Sequence, residues 1–393
     1  MEDQWISAEE AQARLGVKRQ TLYAYASRGL IANRIDGLNS RRSLYAAEDI
    51  ARLALQKDRP KASQTPKRHN VQPLRAFSST LTLVSNGRLY YLGHDAVALA
   101  ESAAFEDVAR LLWRCEDDPF LSLAPHPQVA TGPDTITRAF SLFAYRAARD
   151  PAANGRPTAD LKREAASLLT DLIDAVAGRA QSGPLHERLA RAWRVDAAKG
   201  DVIRRALVLA MDHEPGPSTV AVRIAASTGA SLAAVLAAGL ATLSGPLHGG
   251  TTSEVAAFVL EARRKSDPFA VARDRLARGL DVPGFGHPSH PEGDPRAAAL
   301  AEAMPWSEDI QEIARAGQIV TGQSPNLDFA LVATARTLGL PSDAAGTLKI
   351  AARAAGWLGH ALDQRASDAP MNSRVRYVGP EPGAIGRRRF NAA

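Results

Sequence analysis

Between Leu240 and Arg296 two glycine-bracketed histidines, Gly245-Pro-Leu-His248-Gly-Gly250 and Pro283-Gly-Phe-Gly-His287, stand on either side of a charged helical segment. Glycine beside a titratable residue lets backbone approach a substrate closely and leaves N–H groups free for an anion. That freedom carries an entropic cost that a purely structural loop can avoid. Further along, Asn326-Leu-Asp328-Phe329 adds an isolated carboxylate. Two such histidines and an aspartate point to acid/base chemistry on a carbonyl compound.

Reading outward, Asp212-His213-Glu214 follows an apolar helix, Val202 to Met211, and precedes Pro215-Gly216-Pro217. A histidine there either caps the helix or donates to an anion. Lys349 to Leu362 reads as an otherwise apolar helix with Arg353 inside it. A buried guanidinium is costly unless a carboxylate or an anionic ligand meets it, and the ligand is the favoured partner. His290 stands three residues after His287, but Pro288 argues against helical metal-pair geometry and no third ligand is evident, so no metal is implied. GxGxxG, Walker and HExxH signatures are absent from the sequence.

The 393 residues suffice for two or three domains, and the single cysteine, Cys115, excludes an internal disulfide. Met1-Glu2-Asp3 lacks the features of a secretory signal, so the expected location is the cytoplasm. The uncharged run Ile224 to Leu247 is rich in Ala, Ser, Thr and Gly, and is expected to be buried helix rather than a membrane span. The net charge of +6 is uneven: residues 1–70 carry 13 Lys and Arg against 8 Asp and Glu, leaving +1 for the rest. A basic appendage on a nearly neutral body suits a polyanion partner.

Within that appendage Ser7-Ala-Glu-Glu10 is a capping box opening a helix to about Leu15, which Gly16 ends. A second helix is expected over Lys18 to Arg28, with Leu22 and Ala26 inward and Gly29 as its cap. A two-stranded wing follows over Ile31 to Tyr45, then a third helix near Ala46 to Gln56. The pattern resembles the winged helix-turn-helix of the MerR/excisionase type. The resemblance implies that Lys18, Arg19, Gln20, Thr21 and Tyr23 enter a DNA major groove and that wing residues Arg41 and Arg42 meet phosphate. The alternative is a small domain for protein contacts. Residues 59–76 read as a polar, proline-bearing linker.

Beyond it, Asn86-Gly87 marks a hairpin within Leu81 to Tyr91, and helices are expected at Phe105 to Arg114, Thr135 to Arg149, Asp160 to Ala177, Pro184 to Trp193 and Asp201 to Met211. The fold class is mainly α. Eight pieces, in order, resemble the citrate synthase family: Gly87 to Asp95, Phe105 to Trp113, Asp212-His-Glu214, Gly245 to Gly250, Gly284-Phe-Gly-His287, Asp294-Pro-Arg296, Asn326-Leu-Asp-Phe329 and Ala352 to Trp357.

The resemblance implies a large helical domain over 77–247 and 337–393, a small one over 248–336, and a homodimer. It implies condensation of acetyl-CoA with oxaloacetate or a related 2-keto acid, followed by thioester hydrolysis, with no cofactor beyond acetyl-CoA as substrate. By the family's motifs Asp328 is the base, His248 donates to the thioester oxygen and His287 to the keto carbonyl. His213, Arg296, Arg353 and Arg374 would hold the keto acid, and Gly249, Gly250, Pro283, Gly284, Phe285 and Gly286 would face CoA.

Three departures bear on the substrate. Gly216-Pro217-Ser218-Thr219 replaces Asn-Ala-Ser-Thr, Thr251-Thr252 follows the His-Gly-Gly, and Asn372-Ser373-Arg374 stands where an Arg-Pro-Arg-like sequence is common. Either Arg374 substitutes after a shift or one carboxylate contact is lost. Two readings therefore stand: an acyltransferase with an attached DNA-binding module, or a DNA-binding regulator whose degenerate body senses a CoA ester or keto acid.

Overall fold

The structure, a computed structural model, describes residues 5–27, 31–36, 39–47, 49–51, 78–121, 123, 130–367 and 371. At its start β1 (Trp5–Ile6) leads into α1 (Ala8–Leu15), where the Ser7 hydroxyl accepts the Glu10 N–H at 3.1 Å and Gly16 closes the helix in the left-handed region. After this turn comes α2 (Arg19–Ser27), then the antiparallel pair β2 (Asn33–Asp36) and β3 (Asn39–Ala46). β1 pairs with β3 as well, so the wing has a third strand that the sequence reading does not anticipate. Ile6, Ala11, Leu15, Leu22, Ile31, Tyr45 and Ile50 close a small core of their own. Residues 47 and 49–51 are helical; Gly29 and residues 52–56 of the expected third helix lie outside the described residues.

The body begins with the hairpin β4 (Thr82–Ser85) and β5 (Arg88–Tyr91), extended by β6 (His94–Asp95). Asn86 and Gly87, both at positive φ, make the two-residue turn whose twist suits a hairpin. Tyr91 at the end of β5 is fully buried, and its hydroxyl donates to Val208 O at 3.0 Å and accepts Asp212 N–H at 3.2 Å. The hairpin is thereby pinned to the backbone that carries Asp212 and His213.

Helices account for the rest: α3 (Ala96–Ser102), α4 (Phe105–Leu112), α5 (Thr135–Ala147), α6 (Thr158–Ala177), α7 (Leu185–Ala192) and α8 (Ala197–Ala210). They continue with α9 (Pro217–Ser227), α10 (Leu232–Leu243), α11 (Thr251–Lys265), α12 (Pro268–Ala277), α13 (Pro295–Ala303), α14 (Glu308–Thr321), α15 (Leu327–Thr337) and α16 (Ala344–Ala366). The expected mainly α class is what the described residues form. The uncharged run 224–247 is split at Gly229 between α9 and α10, and no described helix is long and apolar enough to cross a membrane.

The organising element is α16, whose alanines favour the helix and whose small side chains let α6, α8, α9, α10 and α15 pack around it. Its polar residues Lys349, Arg353, His360 and Gln364 are spaced by 4, 7 and 4, which places them on one stripe of the helix. Burying such a stripe requires a partner for each group, and those partners define the site.

Candidate active site

Between α10 and α11 the chain folds back so sharply that His248 N and Gly250 N both bond to Gly245 O, at 3.0 and 3.2 Å. A Cβ on Gly249 would stand 2.0 Å from Leu243 O, so only glycine fits there. His248 Nε2 lies 3.3 Å from the N–H of Ser218 and 2.9 Å from its hydroxyl. That N–H belongs to the first turn of α9 and has no partner within its own helix. Because Nε2 accepts it, the imidazole proton resides on Nδ1. Burial, followed by the cations of Arg353 and Lys349, pulls His248 down to about 4 against the opposing charge of Asp328. At neutral pH it is an uncharged ring offering one N–H.

Asp328 occupies the first turn of α15, capped by Asn326, whose side-chain oxygen accepts the N–H groups of Asp328 and Phe329 at 3.0 and 3.2 Å. The Asp328 Oδ1 accepts from Lys349 Nζ at 2.6 Å and from the Thr252 hydroxyl, while Oδ2 accepts from Thr251 Oγ1 at 3.0 Å. Thr251 also reaches His248 O at 3.4 Å, tying the histidine turn to the carboxylate. Burial pushes the Asp328 carboxyl up, but the Lys349 charge and hydrogen bond, with those of Thr252 and Thr251, outweigh it and hold the group below its ordinary value.

The other end of Asn326 reaches the second glycine loop: its Nδ2 donates to Gly286 O at 3.0 Å, its backbone N–H to Gly284 O at 2.8 Å, and Gly286 N–H to Ser324 O at 2.9 Å. Within that loop Ser289 N–H donates to His287 Nδ1 at 3.1 Å, so His287 carries its proton on Nε2. Burial and the nearby Arg296 cation lower its proton affinity. Two neutral histidines thus present N–H donors, His248 joined to Asp328 through Thr251 and the His287 loop joined to it through Asn326.

His213, His287 and His290 form the third corner, with ring centroids 4.8 to 5.3 Å apart. His290 is buried and its Nδ1 lies 2.7 Å from Gly87 O, while its Nε2 lies 3.0 Å from His213 Nε2. The third imidazole that the sequence does not reveal beside His287 and His290 is therefore His213. The ring nitrogens fall within 4.8 Å of one another, a set able to hold a metal ion. The field favours an anion instead: burial first, then the charges of Arg296 and Arg353 among others, keep His213 from protonating.

Arg296 and Arg353 are both buried. Arg296 forks onto Asp294, Nε to Oδ1 at 2.9 Å and Nη2 to Oδ2 at 2.8 Å, and Asp294 also accepts the N–H of Leu327 at 3.0 Å. Arg353 Nη1 stands 3.5 Å from Asp212 Oδ1, a looser pairing than a hydrogen bond. Asp212 Oδ2 is taken by His360 Nε2 at 2.9 Å and by Thr82, and behind His360 stands the buried Arg223 at 3.1 Å. The favoured expectation of a ligand for Arg353 therefore needs correction in part: a carboxylate of the chain already faces it. Desolvation raises the Asp212 carboxyl, but His360 and Arg353 overcome this and bring it to about 2.

Of the residues expected to face CoA, Gly249, Gly250, Pro283, Gly284 and Gly286 line the two loops, whereas Phe285 turns its ring into the core against Phe258 and Phe329. Thr251 and Thr252, which follow the first glycine turn, hold Asp328 through their hydroxyls. Arg374, like Asn372 and Ser373, lies outside the described residues. In the N-terminal unit Lys18, Arg19, Gln20 and Tyr23 are exposed on or beside α2, Thr21 is half-buried, Arg42 is exposed on β3 and Arg41 lies on the same strand.

Residues 131–377 match the family model described as citrate synthase, C-terminal domain. The chain belongs to the citrate synthase family. It is 27% identical over 353 residues to citrate synthase of Haloferax volcanii, covering 75% of this chain and 90% of that one. It is 24% identical over 349 residues to 2-methylcitrate synthase of Shewanella oneidensis, covering 76% and 91%. Among solved structures, citrate synthase from Thermotoga maritima superposes with a TM-score of 0.64 at 22% identity, over 80% of this chain and 96% of that one. A ternary complex of carboxymethyl coenzyme A and oxaloacetate with citrate synthase from Thermoplasma acidophilum gives 0.63 at 20% identity, over 79% and 95%. These likenesses establish the fold, and the chain is a citrate synthase family enzyme.

Sequence reasoning misses Ser218, Lys349 and the His213–His290 contact in this citrate synthase family site. Lys349 has a signal: it stands four residues before Arg353, so the two share one face of α16. Ser218 carries none, because it meets His248 only through a fold-back across 30 positions.

Proposed function

We propose that the chain condenses a short acyl-CoA, acetyl-CoA first, with oxaloacetate or a related 2-keto acid and then hydrolyses the thioester. The observation that carries this reading is a pair of neutral histidines, each with its proton fixed by an accepting nitrogen, one tied to the carboxylate Asp328 through Thr251 and the other, through its loop, by Asn326. In it Asp328 removes the α-proton, His248 Nδ1–H meets the oxygen of the forming enolate, and His287 Nε2–H polarises the keto carbonyl. His213, Arg296 and Arg353 receive the keto acid carboxylates, with Arg374 as a fourth contact. The loops at Gly249-Gly250 and Pro283 to Gly286 offer backbone to CoA. Residues 248–336 serve as the smaller domain that excludes water, within a homodimer. The relatives include citrate and 2-methylcitrate synthases, so the acyl group is taken as acetyl or its one-carbon homologue.

Thiol release from acetyl-CoA with oxaloacetate and other keto acids tests this. Wild type should show keto-acid-dependent release and Asp328→Ala should lose it; absence of release from wild type overturns the reading for those substrates.

A second reading concerns residues 5–51, where Lys18 just before α2 and Arg19, Gln20 and Tyr23 on it, all exposed beside a basic hairpin, favour DNA as partner. The Arg19 guanidinium bonds the Tyr23 hydroxyl at 2.8 Å, giving a preset pair on that face. A gel shift with genomic fragments should disappear when residues 1–58 are deleted, and a shift that survives deletion overturns it. In this reading the body also serves as the sensor of a CoA ester or keto acid, and loss of the shift on adding acetyl-CoA or oxaloacetate would distinguish it.

A further inference from the structure

The acid/base mechanism above makes no use of Lys349, yet its ammonium is the strongest partner of the carboxylate. Its side chain retains only 17% exposure, and Nζ sits 2.6 Å from Asp328 Oδ1 and 3.1 Å from Thr252 Oγ1. A buried ion pair adds little to stability relative to apolar packing, so its presence in a helix already packed on every side asks for another reason. The distribution of donors supplies one. Oδ1 accepts two hydrogen bonds, from Lys349 and Thr252, and Oδ2 accepts one, from Thr251. Oδ2 is the oxygen with lone-pair capacity to spare.

We propose that Lys349 is a positioning residue for the proton-transfer step, pinning Oδ1 of Asp328 so that Oδ2 faces the thioester and takes its proton. This rests on the reading of Asp328 as the base. The step balances within the site: a C–H bond beside the thioester breaks and an O–H bond forms at Oδ2. The electron pair passes through the new C=C bond to the thioester oxygen, where the His248 N–H meets it. Lys349 is neither donor nor acceptor of the transferred proton. Once Asp328 is neutral, the ammonium remains as counter-charge to the enolate. The groups facing Asp328 are Lys349 from α16, Thr251 and Thr252 from α11, and His248 from the preceding turn.

The test compares wild type with Lys349→Met and Lys349→Arg, following keto-acid-dependent thiol release from acetyl-CoA against pH, with a thermal melt confirming the fold. Lys349→Met should move the acid limb of kcat to higher pH and lower kcat at neutral pH by about ten- to a hundredfold, with KM for the keto acid unchanged. Lys349→Arg should keep the wild-type limb. An acid limb in Lys349→Met that coincides with wild type overturns the proposal. If wild type releases no thiol, the functional reading fails separately, and the Asp328 carboxyl is titrated by 13C NMR, assigned with Asp328→Asn. An upward displacement in Lys349→Met then supports the hold of Lys349 on Asp328, and none overturns it.

Discussion

His213 and His290 meet nitrogen to nitrogen, Nε2 to Nε2 at 3.0 Å, while His290 is anchored at its other nitrogen by Gly87 O. A carbonyl only accepts, so His290 Nδ1 carries a proton. In a neutral pair His213 Nε2–H then donates to His290, so His290 sets how the His213 ring lies beside Arg296 and Arg353. His290→Phe removes that acceptor and is expected to weaken oxaloacetate binding by about tenfold, measurable by calorimetry.

Gly216 tests how closely His248 is held. A Cβ there would stand 3.3 Å from His248 Cε1, and the ring cannot retreat without leaving Ser218. Gly216→Ala is expected to lower kcat by roughly tenfold through misplacement of the donor. A melt within a few degrees of wild type, together with steady-state rates, would check that the effect is local.

The Asp294–Arg296 pair is buried on both sides, and Asp294 also holds the first turns of α13 and α15 through Arg296 N–H and Leu327 N–H. Asp294→Ala leaves an uncompensated guanidinium and should cost about 3–5 kcal/mol in urea unfolding. Replacing both residues, Asp294→Leu with Arg296→Met, should cost less than the single change.

Acid should weaken the fold in a defined window. His213, His248 and His287 all bind protons less readily than free imidazole, chiefly because burial disfavours the cation. As pH falls, the unfolded chain protonates first, near about 6.5, and His248 in the folded chain only near about 4. Unfolding binds protons between those values, so stability declines as pH drops through them. Urea midpoints should follow this course, and His248→Gln should flatten it.

What is legible in the sequence is local. Ser7 caps α1, Asn86-Gly87 turns the hairpin, and Asp328 follows its capping Asn326, because each depends on residues within a few positions. The family motifs add the identity of the three central side chains. The missed parts are long-range: His213 meets His290 across 77 positions, Lys349 meets Asp328 across 21, and β1 finds β3 from the far side of two helices. Periodicity shows which face of α16 is polar, but not which carboxylate will stand opposite each cation. Arg353 illustrates the limit, since its face is readable and its partner Asp212 is 141 positions away.

Asn326 acts as a spacer of fixed length. One amide caps the helix of Asp328 and holds the loop of His287, so the spacing of the carboxylate helix and the histidine loop is set by a single side chain. A descendant of this chain could trade one acyl group or keto acid for another by changing the walls at either end, while the alignment needed for carbon–carbon bond formation passes on unaltered. Substrate drift and alignment are thereby placed under separate control.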